Sequence, residues 1–334
     1  SVKPTSTTRI SLGLNLSVRD WEGPTMSPDA IFNFSREANP VDFPVIFPAD
    51  KSDYDFALWG DKAGGPYNEG YRNPVAEYVS GYRSTFTNTI TATFRVEQEL
   101  GMFVDGLRLA GLFSFKNNAT ANVNRTSSYN HFQVNSYDPE TLEYKIVRLG
   151  NENNTALATT GSHSGQRDIY MQALLDYNKV FLGIHDVNAM LLYNHQQYNT
   201  NAPTSLYTSL PQRKQGIASR LSYAYDRRYL AEVNFGYNGS ENFAKGRRFG
   251  FFPSVAIGYN ISEEQFWENI TPYISFLKLR TSWGLVGNDQ TGAGRFAYLE
   301  DLLPRSSPAY VTGVAQNISY RGPVWNRYFN PDLT

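Results

Sequence analysis

Four histidines, at 131, 163, 185 and 195, are the side chains in this sequence best suited to hold a metal or carry a proton. His185 and His195 share strand parity but lie too far apart along one strand to chelate one ion. No HExxH or paired His/carboxylate spacing is present, so no metal site is expected. Glu263 and Glu264 could act as an acid/base pair, but they follow Asn-Ile-Ser at a turn, and solvation explains them better. The glycine-rich GNDQTGAG (287–294) lacks the Lys-Ser/Thr of a phosphate loop and leads into no helix. It reads as a loop. The Asn-x-Ser/Thr triplets at Asn118, Asn124, Asn238, Asn269 and Asn317 arise by chance in so Asn- and Thr-rich a chain. No Ser-His-Asp arrangement has supporting spacing, and with no cysteine there is neither a thiolate site nor a disulfide framework. The expectation is a protein that is not an enzyme and needs no cofactor.

The remaining chemistry is noncovalent. Net charge is -1 in 334 residues, which gives no electrostatic pull toward nucleic acid. Tyr (23) and Phe (21) are abundant while 18% of residues are charged, a composition that leans toward β structure. No apolar run is long enough for a transmembrane helix. The mean hydropathy of -0.45 suits a soluble protein, but equally a membrane barrel whose lipid-facing and lumen-facing residues alternate. The first residues, SVKPTSTTRIS, lack the apolar core of a signal peptide. A mature start or a piece of a longer chain is expected.

Period two runs through the sequence. Tyr229, Ala231, Val233, Phe235 and Tyr237 oppose Leu230, Glu232, Asn234 and Gly236. Ile217, Leu221, Tyr223 and Tyr225 precede them across only Asp-Arg-Arg, which reads as a hairpin. Phe249, Phe251, Val255, Ile257 and Tyr259 form the next face, then Leu277, Leu279, Trp283 and Leu285. Upstream, strands are expected around 10–18, 86–96, 107–115, 169–177 and 187–193, with weaker ones near 124–136 and 142–149. About eleven result, longer than the five or six residues usual in soluble sheets. Tyr229 and Tyr237 close the two ends of one face. Eight residues span roughly 27 Å, which a tilt near 40° projects to roughly 20 Å, close to the apolar band between aromatic girdles.

Connections alternate in length. Short ones are expected at 99–105, 137–141, 179–185, 226–228 and, somewhat longer, 262–274. Long ones fall at 20–83, 117–123, 150–166, 199–211, 239–248 and from 287 onward. Such asymmetry marks membrane barrels. The stretch 20–83 exceeds an ordinary loop, and its prolines (24, 28, 40, 44, 48, 66 and 74) argue against regular structure. Its Trp21, Trp59, Tyr67 and Tyr71 are candidates to stack on a sugar-like substrate, or to form the loop's own core. Arg95, Arg220, Glu232, Lys278 and Arg280 should face a barrel lumen, to make polar contacts there or simply to be solvated.

Several stretches resemble one family. GIASRLSYAYDRRYLAEVNFGYNGSENFAKGRRFGFFPSVAIGYNISEEQFW (216–267) and LKLRTSWGLVGND (277–289) resemble the barrel signature of SusC-like TonB-dependent transporters, and NPVAEYVSGY (73–82), RVEQELGMFVDGLRLAGLFSF (95–115) and NPDLT (330–334) fit the same pattern. The resemblance implies an all-β fold: a segment of an antiparallel transmembrane β-barrel, about eleven of 22 strands, with long extracellular loops and short periplasmic turns. Residues 1–334 would be part of the barrel domain without plug, TonB box or C-terminal strands, and 20–83 a long extracellular loop. It further implies TonB-dependent import of a nutrient, with an oligosaccharide the favoured cargo, across the outer membrane of a Gram-negative bacterium. The implied partners are a SusD-like lid lipoprotein, TonB of the TonB–ExbB–ExbD complex, and outer-membrane lipid. Alternatives are a peptide importer of the same family, a soluble or surface lectin-like β protein, and, needing a nucleophile not found here, an outer-membrane lipase or protease.

Overall fold

Alternating residues become strands wherever one face can be apolar and the other polar, and the chain does this repeatedly. The computed structural model describes residues 1–64, 71–153, 155–290, 292, 294–303, 309–327 and 330. In chain order the elements are β1 (Thr8–Pro24), α1 (Pro28–Glu37), β2 (Trp59–Gly60), α2 (Pro74–Val79), β3 (Gly81–Glu99), β4 (Leu107–Thr126), β5 (His131–Tyr137), β6 (Tyr144–Leu149), β7 (Ala158–Phe181), β8 (His185–Thr200), α3 (Leu206–Ser209), β9 (Gln212–Tyr225), β10 (Tyr229–Ser240), β11 (Phe249–Asn260) and β12 (Lys278–Gly284). Short strands β13 (Asp301–Leu303), β14 (Ala309–Thr312), β15 (Ile318–Arg321) and β16 (Val324–Arg327) follow.

Nine strands form one antiparallel sheet in the order β1-β3-β4-β7-β8-β9-β10-β11-β12. Once the strands of the smaller sheet are set aside, this order follows the chain, so each strand returns beside its predecessor. The sheet has nine strands rather than about eleven because the two weaker candidates, β5 and β6, pair with each other and with β2 in a separate three-stranded sheet. Residues 117–123 are not a loop but the interior of β4, and 137–141 turns within the small sheet. The long first connection runs over 25–80, because β1 extends through Pro24 and β3 starts at Gly81.

That connection is not irregular, contrary to the reading of its prolines. Pro28 and Pro74 each open a helix, where the missing N–H is no loss and the fixed φ is already helical. Ser27 caps α1 by accepting the Ala30 N–H at 3.2 Å. Asn73 caps α2 by accepting from Val75 and Ala76 at 3.1 and 3.2 Å.

The chain divides into two compact units. The second (Ser17–Asn88 and Ala119–Ser164) has a conventional small core in which Phe47, Leu58 and Phe132 are buried, with Phe56, Tyr144 and Ile146 packed around them. The first (Ser1–Leu16, Thr89–Asn118 and Gly165–Thr334) carries most of the sheet. Its apolar strand residues are not buried: Val233 is 52% exposed and Ile257 62%.

Candidate functional site: a sheet with two unlike faces

Strand register sorts the first unit's side chains into two faces. One cross-strand row reads Asp186, Ala224, Leu230, Gly258, Arg280, and the next reads Asn188, Ser222, Glu232, Ala256, Ser282. A third reads Asp176, Met190, Arg220, Asn234, Ser254, Gly284. These rows make a polar face. Glu232, Lys278 and Arg280 line a concavity of about 330 Å³ on it, together with Asp186, Asn188 and Ser222. The Asn234 amide donates to the Glu232 carboxylate at 2.8 Å. Arg220 stands in the adjoining row, outside that concavity. Arg95 lines a second hollow with Glu97 and Arg108. Here Arg95 lies 3.6 Å from Glu97, and Arg108 reaches Asp176 at 3.2 Å. All five charged residues singled out from sequence parity thus share one face. Their half-exposed ion pairs contribute little to stability. What they create is a wet, charged surface.

The intervening rows make the other face. His185, Tyr225, Tyr229, Tyr259 and Leu279 lie nearest the short turns. Ala189, Leu221, Val233, Val255 and Trp283 form its middle, and Tyr193, Ile217, Tyr237 and Phe251 its far side. The first row is a stack of rings: Tyr229 and Tyr259 sit 5.2 Å apart at 9°, and Tyr225 follows at 6.3 Å. At the far side Tyr237 stacks on Phe249 at 5.1 Å. Two aromatic rows therefore bracket a mostly aliphatic band eight residues deep, roughly 27 Å along the strand. Burying this band from water against another apolar medium is favourable in proportion to its area.

The connections at each end are fixed by specific contacts. Asp226 and Arg227 both adopt left-handed dihedrals (φ 48° and 55°), the mirror-image turn whose twist matches the strands it joins. Glu264, in the 261–277 connection, accepts from the Tyr229 and Tyr259 hydroxyls at 3.2 and 3.1 Å, and its other oxygen meets Arg228 at 3.2 Å. Beyond β12, Asp289 pairs with Lys214 at 2.6 Å and accepts the Ser240 hydroxyl at 2.8 Å. Burial would raise its pKa, but the Lys214 and Ser240 hydrogen bonds and the lysine charge outweigh that and hold the carboxyl below its ordinary range.

The second unit contains a buried polar network that the sequence did not signal. Asp61 and His131 are 0% and 5% exposed and meet at 2.8 Å. Asp61 also accepts the backbone N–H groups of Lys62 and Tyr71 at 2.7 and 2.8 Å. Glu77 accepts the Tyr129 hydroxyl at 2.8 Å and pairs with Arg72 at 2.7 Å. Burial first, then the Glu77 charge, pushes the Tyr129 phenol well above its ordinary pKa. His131 and Asp61 are seventy positions apart, so no local spacing could reveal them. His163 lies exposed on β7, His185 bonds the Tyr223 hydroxyl at 2.8 Å, and His195 sits on the ring-bearing face of β8. Among the described residues no group of His and carboxylates has metal-binding geometry.

The three described aromatic candidates sit in different settings. Trp21 stands on β1 rather than in the connection after it. Trp59 is half-buried, with its ring edge-on to Tyr129 at 6.5 Å. The Tyr71 backbone is held by Asp61. Tyr67 lies outside the described residues.

No family model matches the chain. Over 80 residues it is 42% identical to the TonB-dependent receptor SusC of Bacteroides thetaiotaomicron, which is 24% of this chain and 8% of that protein. A 109-residue stretch, 33% of this chain and 10% of the relative, is 33% identical to TonB-dependent receptor P39 of Formosa agariphila. Receptor P3 of the same organism is 24% identical over 240 residues, 65% of this chain and 22% of that one. Structures of the RagAB peptide importer in closed-closed and open-open states superpose with TM-scores of 0.63 and 0.62, at 13% and 12% identity, over 99% of this chain and 35% of theirs. At that identity the likeness is one of fold. The chain spans about a third of the length of those structures, and its matches cover less than a quarter of these curated relatives. These relatives are named receptors and importers rather than enzymes. In sequence and in fold, the chain is similar to SusC-like TonB-dependent receptors, the family its motifs resemble.

Proposed function

We propose that this chain is a membrane-crossing part of an energy-coupled nutrient importer in the outer membrane of a Gram-negative bacterium. The observation that carries the proposal is the two-faced sheet. An exposed aliphatic band bracketed by aromatic rows suits lipid, and the charged opposite face suits a water-filled interior. Nine sequential antiparallel strands leave β1 and β12 as edges, which further strands would pair on closing a larger barrel. Arg95, Arg220, Glu232, Lys278 and Arg280 would then face the lumen and meet a plug. The 25–80 connection, like the neighbouring long ones, would lie outside the cell, and the short turns in the periplasm.

The cargo class we favour is an oligosaccharide, handed over beneath a SusD-like lid lipoprotein, with energy supplied through TonB. The relatives named TonB-dependent receptors support the energy source, and the cargo and lid are what the resemblance of 216–267 to SusC-like transporters implies. Trp21, Trp59, Tyr67 and Tyr71 remain candidates for contact with it. Import of peptides is the second reading, favoured by the fold neighbours that are named peptide importers. The test is to fractionate cells producing the protein from its own gene, extract outer membranes with detergent, and identify what co-purifies. Recovery with a SusD-like lipoprotein supports the importer, and oligosaccharide and peptide ligands can then be compared on that complex. Recovery as a soluble monomer without detergent overturns the proposal and favours a lectin-like β protein.

A further inference from the structure

The connection between β11 and β12 is longer than the other turns at its end of the sheet, spanning 261–277 against 100–106, 182–184 and 226–228. It is also rich in exposed apolar side chains. Tyr273 is 89% exposed and Phe276 63%, with Phe266 and Ile274 exposed nearby. It is nonetheless ordered by its own bonds. The Trp267 indole N–H donates to the Ile274 carbonyl at 2.9 Å, and the Thr271 hydroxyl to the Trp267 carbonyl at 3.1 Å.

We infer that 261–277 is an interfacial anchor that lies in the headgroup boundary of the phospholipid leaflet flanking the aliphatic band. This rests on the membrane reading above. Two observations point to lipid. The first is continuity: Glu264 is tied to the hydroxyls of Tyr229 and Tyr259 and to Arg228, and those tyrosines stand on the ring-bearing face. The connection therefore begins folded onto the edge of the apolar band, not beneath the charged face. The second is composition. Trp and Tyr with polar tips, mixed with Phe and Ile, settle at the depth where hydrocarbon gives way to headgroups. The carboxylates of Glu263 and Glu268 suit the water side of that boundary.

The test uses single cysteines, a residue this sequence lacks. Nitroxide labels are placed at Tyr273→Cys, Val233→Cys and Lys245→Cys in the full protein in phospholipid vesicles. Collision rates with oxygen and with a water-soluble nickel complex are compared. If Tyr273→Cys is not recovered folded, Phe276→Cys takes its place. The expected result is an oxygen-to-nickel ratio at 273 well above that at 245 and approaching that at 233. A ratio at 273 equal to that at 245, with 233 still in lipid, overturns the anchor and leaves the membrane reading intact. A water-like ratio at 233 overturns the membrane reading, and the anchor with it.

Discussion

At the scale of single residues, the strongest constraints are buried polar contacts whose partners lie far apart in sequence. Asp61 satisfies two backbone N–H groups and His131 at once. Replacing it with alanine removes that acceptor from two part-buried backbone N–H groups and from the buried His131 ring, at a cost of about 2 kcal/mol. Asp61→Ala should lower the thermal midpoint, with loss of near-ultraviolet ellipticity from the aromatic core, and an unchanged midpoint would show that the network carries no weight. Asp289 gives a pH-dependent counterpart. Its carboxyl is held below its ordinary pKa, so the stabilisation is fully present above the ordinary carboxylate value near 4 and is lost as the pH falls through the lower folded value. A nitroxide at Val286→Cys should gain mobility in that acidic window. Adding Asp289→Asn should leave it mobile at every pH, and a pH response that persists in the double variant would refute the pin. Neither contact was legible beforehand. Asp61 and His131, or Asp289 and Lys214, look like ordinary surface residues until the fold brings each pair together.

At the scale of elements, the strands were the most legible part, because period two records which side chains share a face. The parity of Tyr229–Tyr237 gave both faces of β10, and the register of β9 and β11 follows it residue for residue. What parity could not show was which strands belong to one sheet. β5 and β6 alternate well enough to be seen, yet they pair only with each other and β2. The helices were missed for a related reason: Pro28 and Pro74 read as breakers, and only their position at the first turn makes them starters. The two-faced sheet predicts a sharp asymmetry between neighbours. Val233→Lys places a charge in the middle of the exposed apolar band and, if that band meets lipid as proposed, should cost about 2–4 kcal/mol in folding into bilayers. Asn234→Lys, one residue along on the polar face, should cost less than about 1 kcal/mol. Urea titrations in phospholipid vesicles measure both, and equal costs would mean that the faces are not in different solvents.

At the scale of the whole molecule, the two units bury their strand residues differently: those of the second pack into a core, while among the described residues the buried apolar side chains of the first, Phe243, Phe296 and Ala297, lie outside its strands. Phe47, Leu58 and Phe132 bury one another, whereas Val233, Ile257 and their neighbours form an exposed apolar face of the kind that marks a contact surface. Mean hydropathy hides this, since the charged face cancels the apolar one in the average. Family motifs such as those in 216–267 pointed to the same architecture, whereas the long connections follow no period and carry no comparable signal. The central claim, that the strands cross a membrane, is tested most directly by labelling intact cells with a maleimide too large for porins. Lys245→Cys, in the connection between β10 and β11, should react on intact cells. Arg227→Cys, in the hairpin between β9 and β10, should react only after the outer membrane is opened. Equal reactivity of the two cysteines on intact cells would contradict the account.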